Sequence, residues 1–108
     1  MIEGEIVNKS DLAKALTEAQ DTGSHVSIEV RDCLVWDRDR IKYSFLKSCR
    51  VVRLTSGVTD YKGLDIEFEP IMALIGFVES NGWVFDWGAP VIRTTRFQTG
   101  FILSRKTN

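Results

Sequence analysis

Residues 26–54 read VSIEVRDCLVWDRDRIKYSFLKSCRVVRL. Apolar residues recur here at every second position, the period of a half-buried strand. The break is Asp37-Arg38-Asp39-Arg40, polar and short enough to connect a hairpin. Setting Trp36 opposite Ile41 gathers Val26, Ile28, Val30, Leu34, Trp36, Ile41, Tyr43, Phe45, Cys49 and Val51 on one face. The other face then carries Ser27, Glu29, Arg31, Cys33, Lys42, Ser44, Ser48 and Arg50, with Val35, Leu46 and Val52 as its apolar members. A slip of one residue would exchange the faces of one strand and destroy this separation. The stretch therefore predicts an antiparallel hairpin with a core side and a solvent side. Asp32 and Lys47 are the two charges on the core side. As diagonal neighbours they form a candidate ion pair, unless a bulge turns both to solvent.

Upstream, the short apolar run Glu5–Val7 predicts a strand, and Asn8 is a helix N-cap with Asp11 three residues on, as in a capping box. Val7 is placed to staple onto Leu12. Leu12, Ala15, Leu16 and Ala19 recur at helical spacing up to Gly23, which supplies the stop. Downstream, Thr55–Gly63 is rich in Ser, Thr, Gly and Asp and reads as a loop, and Leu64–Phe68 alternates briefly. Pro70 then opens a second helix over Ile71–Val78, closed by Asn81-Gly82. Trp83, Phe85 and Trp87 alternate as a strand, Gly88-Ala89-Pro90 breaks it, and Phe97, Thr99, Phe101 and Leu103 alternate in a last strand. The order β-α-β-β-α-β-β predicts an α+β fold: a two-layer sandwich with a mainly antiparallel sheet, both helices on one face, and a ferredoxin-like order with an added strand.

With 108 residues, 44% of them hydrophobic, the chain has room for one hydrophobic core, so residues 1–108 are expected to form a single domain. Neither a long apolar run nor a signal-peptide pattern is present, which predicts no membrane span and a cytoplasmic protein. In the hairpin register Cys33 and Cys49 point to opposite sides, so no disulfide joins them. His25 and Cys33 are eight residues apart on one strand, roughly 26 Å, too far for a catalytic dyad. One histidine and two divergent cysteines cannot supply a structural zinc site. No metal or cofactor is expected.

Charge is uneven along the chain. Lys and Arg against Asp and Glu number two against six over residues 1–30, eight against four over 31–62, none against five over 63–90 and four against none over 91–108. The basic blocks supply a candidate surface for an anionic partner: Arg31, Lys42 and Arg50 on the polar face of the hairpin, Arg38 and Arg40 at its tip, and Arg93, Arg96, Arg105 and Lys106 from the end of the chain. Base stacking would need exposed aromatic residues as well, and the register commits Trp36, Tyr43 and Phe45 to the core side. Asp65, Glu67 and Glu69 form a row of carboxylates suited to a hard cation or a basic partner, or to a solvated edge near the start of the second helix.

The second helix carries no charge between Glu69 and Glu79. Ile71, Leu74, Ile75 and Val78 face the sheet, while Met72, Ala73, Gly76 and Phe77 lie on faces that would otherwise meet water. The first helix, the Val91-Ile92 segment or a second copy are the candidates to cover them. The leading expectation is a small binding protein without catalytic activity, a candidate homodimer, that recognises an anionic macromolecule or a partner protein through its basic hairpin. The alternative is a small-molecule binder or small enzyme with an apolar pocket lined by Trp83, Phe85 and Trp87, with Asp32 or Asp86 as its polar group.

Overall fold

The computed structural model describes residues 2–3, 5–31, 34–37, 42–45, 49–86, 92–93 and 98–106, with only the backbone for 2–3, 34–37, 42–45 and 92–93. In chain order the elements are β1 (Ile2–Glu3), α1 (Lys9–Thr22), β2 (Val26–Arg31), β3 (Leu34–Asp37), β4 (Lys42–Phe45), β5 (Cys49–Ser56), β6 (Thr59–Tyr61), β7 (Ile66–Phe68), α2 (Ile71–Ser80), β8 (Trp83–Phe85), β9 (Ile92–Arg93) and β10 (Gln98–Arg105). Among the described residues this is an α+β fold with two helices. The main sheet runs β1-β6-β5-β2-β10-β8, with β7 also on β5 and β9 also on β10. Its pairs are antiparallel except β1 with β6.

Local chemistry explains the helix ends. The Asn8 side chain accepts a hydrogen bond from the Asp11 backbone N–H at 2.9 Å, and Asp11 in return accepts one from the Val7 N–H at 3.0 Å. The first bond satisfies a donor that the first turn leaves without a partner, and the second ties the residue before the cap to that turn. Gly23 ends α1 in the left-handed conformation, its N–H directed at the carbonyls of Ala19 and Gln20. At the end of α2, Asn81 takes the cap position and Gly82, at φ 89°, turns the chain into β8. Both helices thus pass through a positive-φ glycine into the first strand of a hairpin, so an α-β-β unit occurs twice.

The core follows from the register. Ile28 lies between Leu54 and Phe101, Val51 between Val30 and Ile66, and Leu103 between Val26 and Phe85, and all of these are buried. Leu12, Ala15, Leu16 and Ala19 of α1 and Leu74 and Val78 of α2 complete the same cluster. Each large side chain so buried contributes about 1.5–3 kcal/mol relative to exposure. The register shifts between Glu29 and Val30, with Glu29 opposite Arg53 and Val30 opposite Val51. The extra residue, Val52, lets Val51 and Leu54 share the buried face although they are three apart.

Several expectations change. Residues 5–7 are not a strand; β1 lies earlier and at the sheet edge, and Ile6 rather than Val7 is buried, leaving Val7 70% exposed and unable to staple. The Thr55–Gly63 loop is instead the end of β5, a turn at Gly57-Val58 and β6. Strands β6 and β7 are additions to the expected element order, and β1 joins β6 at the margin of the sheet. In the hairpin, Trp36 faces Tyr43, not Ile41, and Ile28 faces Leu54, not Cys49. The tip pairing is displaced by an even step, which keeps every residue on its face, so alternation could not detect it. The Asp32–Lys47 pair lies outside the described residues.

Candidate functional site

The hairpin divides in two. Its base, β2 with β5, belongs to the main sheet, while its distal half, β3 with β4, forms a separate two-stranded ribbon. Leu34 faces Phe45, Val35 faces Ser44, Trp36 faces Tyr43 and Asp37 faces Lys42. Among the described residues, neither strand of this ribbon is hydrogen-bonded to a strand of the main sheet. Arg38 and Arg40 belong to the connection between Asp37 and Lys42 and lie outside the described residues.

At the base of the hairpin the expected basic surface is answered by carboxylates. Arg31, exposed, stands directly opposite Arg50. The Arg50 guanidinium donates to Asp65 Oδ1 at 2.7 Å and to Glu67 Oε2 at 3.4 Å. β7 pairs with β5 so that Glu67 is the direct cross-strand neighbour of Arg50. Two of the three carboxylates expected to meet a cation or a basic partner, Asp65 and Glu67, therefore meet this chain's own arginine.

Beside it lies a pair that the spacing did not single out. Asp60 is 2% exposed although it sits on the polar side of the sheet, opposite Thr55. Arg53 donates to both its oxygens, from Nε to Oδ1 at 2.9 Å and from Nη2 to Oδ2 at 2.8 Å, and Lys62 Nζ is 3.5 Å from Oδ2. Hydrogen bonding by Arg53 holds the Asp60 carboxyl below the usual carboxylate range, against the opposing effect of burial. In sequence Asp60 is an ordinary turn residue in a Ser-Gly-Val-Thr-Asp stretch, and nothing local marks it as buried.

Elsewhere the expected cations take structural roles or lie outside the described residues. Arg105 donates to the Gln20 carbonyl at 3.2 Å, at the C-terminal end of α1, and its guanidinium lies 5.8 Å from the Trp83 ring centre. Arg93 is placed in β9 opposite Thr99, and Arg96 lies outside the described residues. Lys106 is exposed, its backbone N–H bonded to the Gly82 carbonyl.

Of the expected pocket residues, Trp83 is 2% exposed and donates through Nε1 to the Leu16 carbonyl at 2.9 Å, joining β8 to α1. Phe85 packs edge-on against Phe101 with ring centres 5.4 Å apart. Both are core residues. Asp86 accepts from the Ser104 hydroxyl, while Asp32 and Trp87 lie outside the described residues. A shallow groove of about 240 Å³ does open elsewhere, between α1 and the β5–β6 turn, with Ala15, Ala19, Thr22, Ser24, Thr59 and Tyr61 on its walls. Burial first, and Glu18 second, push the Tyr61 hydroxyl pKa up. Cys49 is buried in the core, and His25 is exposed at the start of β2, its carbonyl accepting from Gly57. Among the described residues no three His, Cys, Asp or Glu side chains are grouped to hold a metal ion. No described helix is long and apolar enough to cross a membrane.

On α2, Phe77 turns inward against Phe68, ring centres 5.2 Å apart, so it is half core and not a free surface. Met72, at 64%, Ala73 and Gly76 are exposed, and α1 does not cover them. Comparison with protein-family models, with curated proteins and with solved structures gives no match to this chain.

Proposed function

We propose that this chain is a small non-catalytic binding domain that recognises an anionic macromolecule through its basic hairpin. The observation that carries this reading is the separation of the β3–β4 ribbon from the main sheet. The carboxylates that answer Arg50 and Arg53 stand on β6, on β7 and in the approach to β7, elements that pair with β5 and not with the ribbon. Lys42 stands on β4, paired with β3, and Arg38 and Arg40 precede it in the sequence between Asp37 and Lys42. A cytoplasmic location, a homodimer formed through the outer face of α2, and a two-layer arrangement with both helices on the Ile28 side of the sheet belong to the same reading. A ferredoxin-like order for the central strands belongs to it as well.

The test is retention of the full chain on immobilised heparin across a salt gradient, with the triple variant Arg38→Ser, Arg40→Ser, Lys42→Ser alongside. Removing three cations that each neutralise an anionic group should lower the slope of log affinity against log salt by roughly 2–3. Retention unchanged in the variant would overturn the placement of the surface. The small-molecule alternative loses the lining it was expected to have, because Trp83 and Phe85 are packed into the core.

A further inference from the structure

We infer that the Asn81-Gly82 junction is a self-modification site, held shut by the last turn of α2 and released when that turn opens. It is the one place in the chain where asparagine or aspartate precedes glycine. Glycine has no Cβ to crowd its backbone nitrogen, which leaves that nitrogen accessible to the side chain before it. In the reaction the Gly82 nitrogen attacks the Asn81 side-chain carbonyl carbon. A C–N bond forms there, the bond to Nδ2 breaks, and the side-chain nitrogen leaves as ammonia with the proton from Gly82. Water then opens the cyclic imide. Cleavage of the new C–N bond gives aspartate, and cleavage of the original peptide bond gives isoaspartate, with the main chain rerouted through the former side chain.

The folded geometry keeps the reacting atoms apart. A cyclic imide is nearly flat, so closing it requires the Gly82 nitrogen to eclipse Asn81 Cβ about the Cα–C bond. Asn81 has ψ 15°, which makes that nitrogen nearly eclipse the backbone nitrogen of Asn81 instead. Two hydrogen bonds hold this arrangement. The Gly82 N–H donates to the Glu79 carbonyl at 3.1 Å, and Asn81 Nδ2 donates to the Phe77 carbonyl at 2.8 Å. The first engages the proton that the nucleophile must lose, and the second engages the group that must leave. Both acceptors belong to the end of α2, and helix ends open more readily than the sheet core. The products would loosen the joint. A carboxylate has no donor for the Phe77 carbonyl and sets a negative charge at the negative end of the helix dipole. Isoaspartate adds a main-chain carbon between α2 and β8, where the Gly82 carbonyl accepts from Gln20 and Lys106 and Trp83 reaches the Leu16 carbonyl. The modification thereby marks a chain whose α2 has opened and weakens the attachment of β8 to α1.

The experiment is timed incubation of the full chain in mildly alkaline buffer, folded and in guanidinium chloride. Peptide mapping by mass spectrometry separates asparagine, aspartate and isoaspartate at position 81. The variant Glu79→Gly keeps the reacting pair and weakens the turn at an exposed position, and circular dichroism checks its fold. The expected result is modification at least about tenfold slower in the folded wild type than in the unfolded chain. Glu79→Gly should speed it about fivefold in the folded chain alone, the factor that the helix cost of glycine gives. Equal rates in folded and unfolded wild type would overturn the inference. So would a slow folded rate that Glu79→Gly leaves unchanged, because the gate would then be the opening of the entire fold. An unfolded chain that keeps Asn81 intact, or loses it no faster than Asn8, would remove the site altogether. If Glu79→Gly fails to fold, the wild type in low denaturant decides. Acceleration below the unfolding transition belongs to the turn, whereas a rate that rises only with global unfolding overturns the inference.

Discussion

Asp60 and Arg53 show how much a single buried carboxylate can commit. Removing the guanidinium, itself partly exposed, leaves a carboxylate that is 2% exposed with Lys62 at 3.5 Å as its remaining cation, which costs more than losing a surface pair. Arg53→Ala should therefore lower the urea midpoint strongly, whereas Arg50→Ala, whose partners Asp65 and Glu67 are well exposed, should cost less than about 1 kcal/mol. The sign of the pH effect follows from the lowered carboxyl. Asp60 binds its proton less readily folded than unfolded, so its contribution is fully present above about pH 4 and is lost as pH falls through its depressed value. Unfolding measured from pH 5 to pH 2 should show that loss in the wild type and a shallower fall in Asp60→Asn. Gly82 is a second residue with little freedom. Its φ is 89°, and a Cβ there would run into the Gln20 amide, which donates to the Gly82 carbonyl. Gly82→Ala should cost about 1–3 kcal/mol, and more than Gly63→Ala, where φ is also positive but nothing stands within 4 Å.

Elements were legible where the chain announces its own ends. Asn8, Asp11 and Gly23 bound α1 by local hydrogen bonds, and each could be read from residue type and spacing alone. Strand β6 was illegible for the opposite reason: its buried position is filled by Asp60, a polar residue whose partners come from β5 and from the chain beyond, so alternation reports solvent where there is none. The hairpin register was half legible, since alternation fixes faces and cannot see an even displacement. The outer side of α2 offers a clean test at this scale. Gly76 lies within the helix, is exposed, and has open space where a Cβ would go. Gly76→Ala should stabilise the monomer by about 0.5–1 kcal/mol through helix propensity and unfolded-state entropy. Thermal denaturation at two protein concentrations would check this. A gain that vanishes at the higher concentration would mean that a second copy approaches closely at Gly76.

Across the whole molecule, charge counted along the chain misled because the sheet folds an acidic block onto a basic one. Asp65 and Glu67 are far from Arg50 in sequence, and only the β5–β7 pairing brings them together. Arg105, counted toward the same surface, sits instead at the end of α1. Lys42 stands on the separate ribbon, and no composition block distinguishes it from Arg50 at the base of the same hairpin. That division predicts uneven stability. Strands β2 and β10 have neighbours on both sides and bury Ile28, Val30, Phe101 and Leu103, so their amides should exchange with solvent only when the entire fold opens. Among the described residues the ribbon has one ladder, separate from the main sheet, so it can open while the sheet stays closed. In native-state hydrogen exchange, amides of Leu34–Asp37 and Lys42–Phe45 should exchange at least about a hundredfold faster than those of Val26–Val30, a difference that ~3 kcal/mol of opening free energy gives. Equal protection would place the ribbon inside the cooperative core. Slowing confined to the ribbon on addition of heparin, with β2 and β10 unchanged, would tie this readily opened arm to the binding proposed for it.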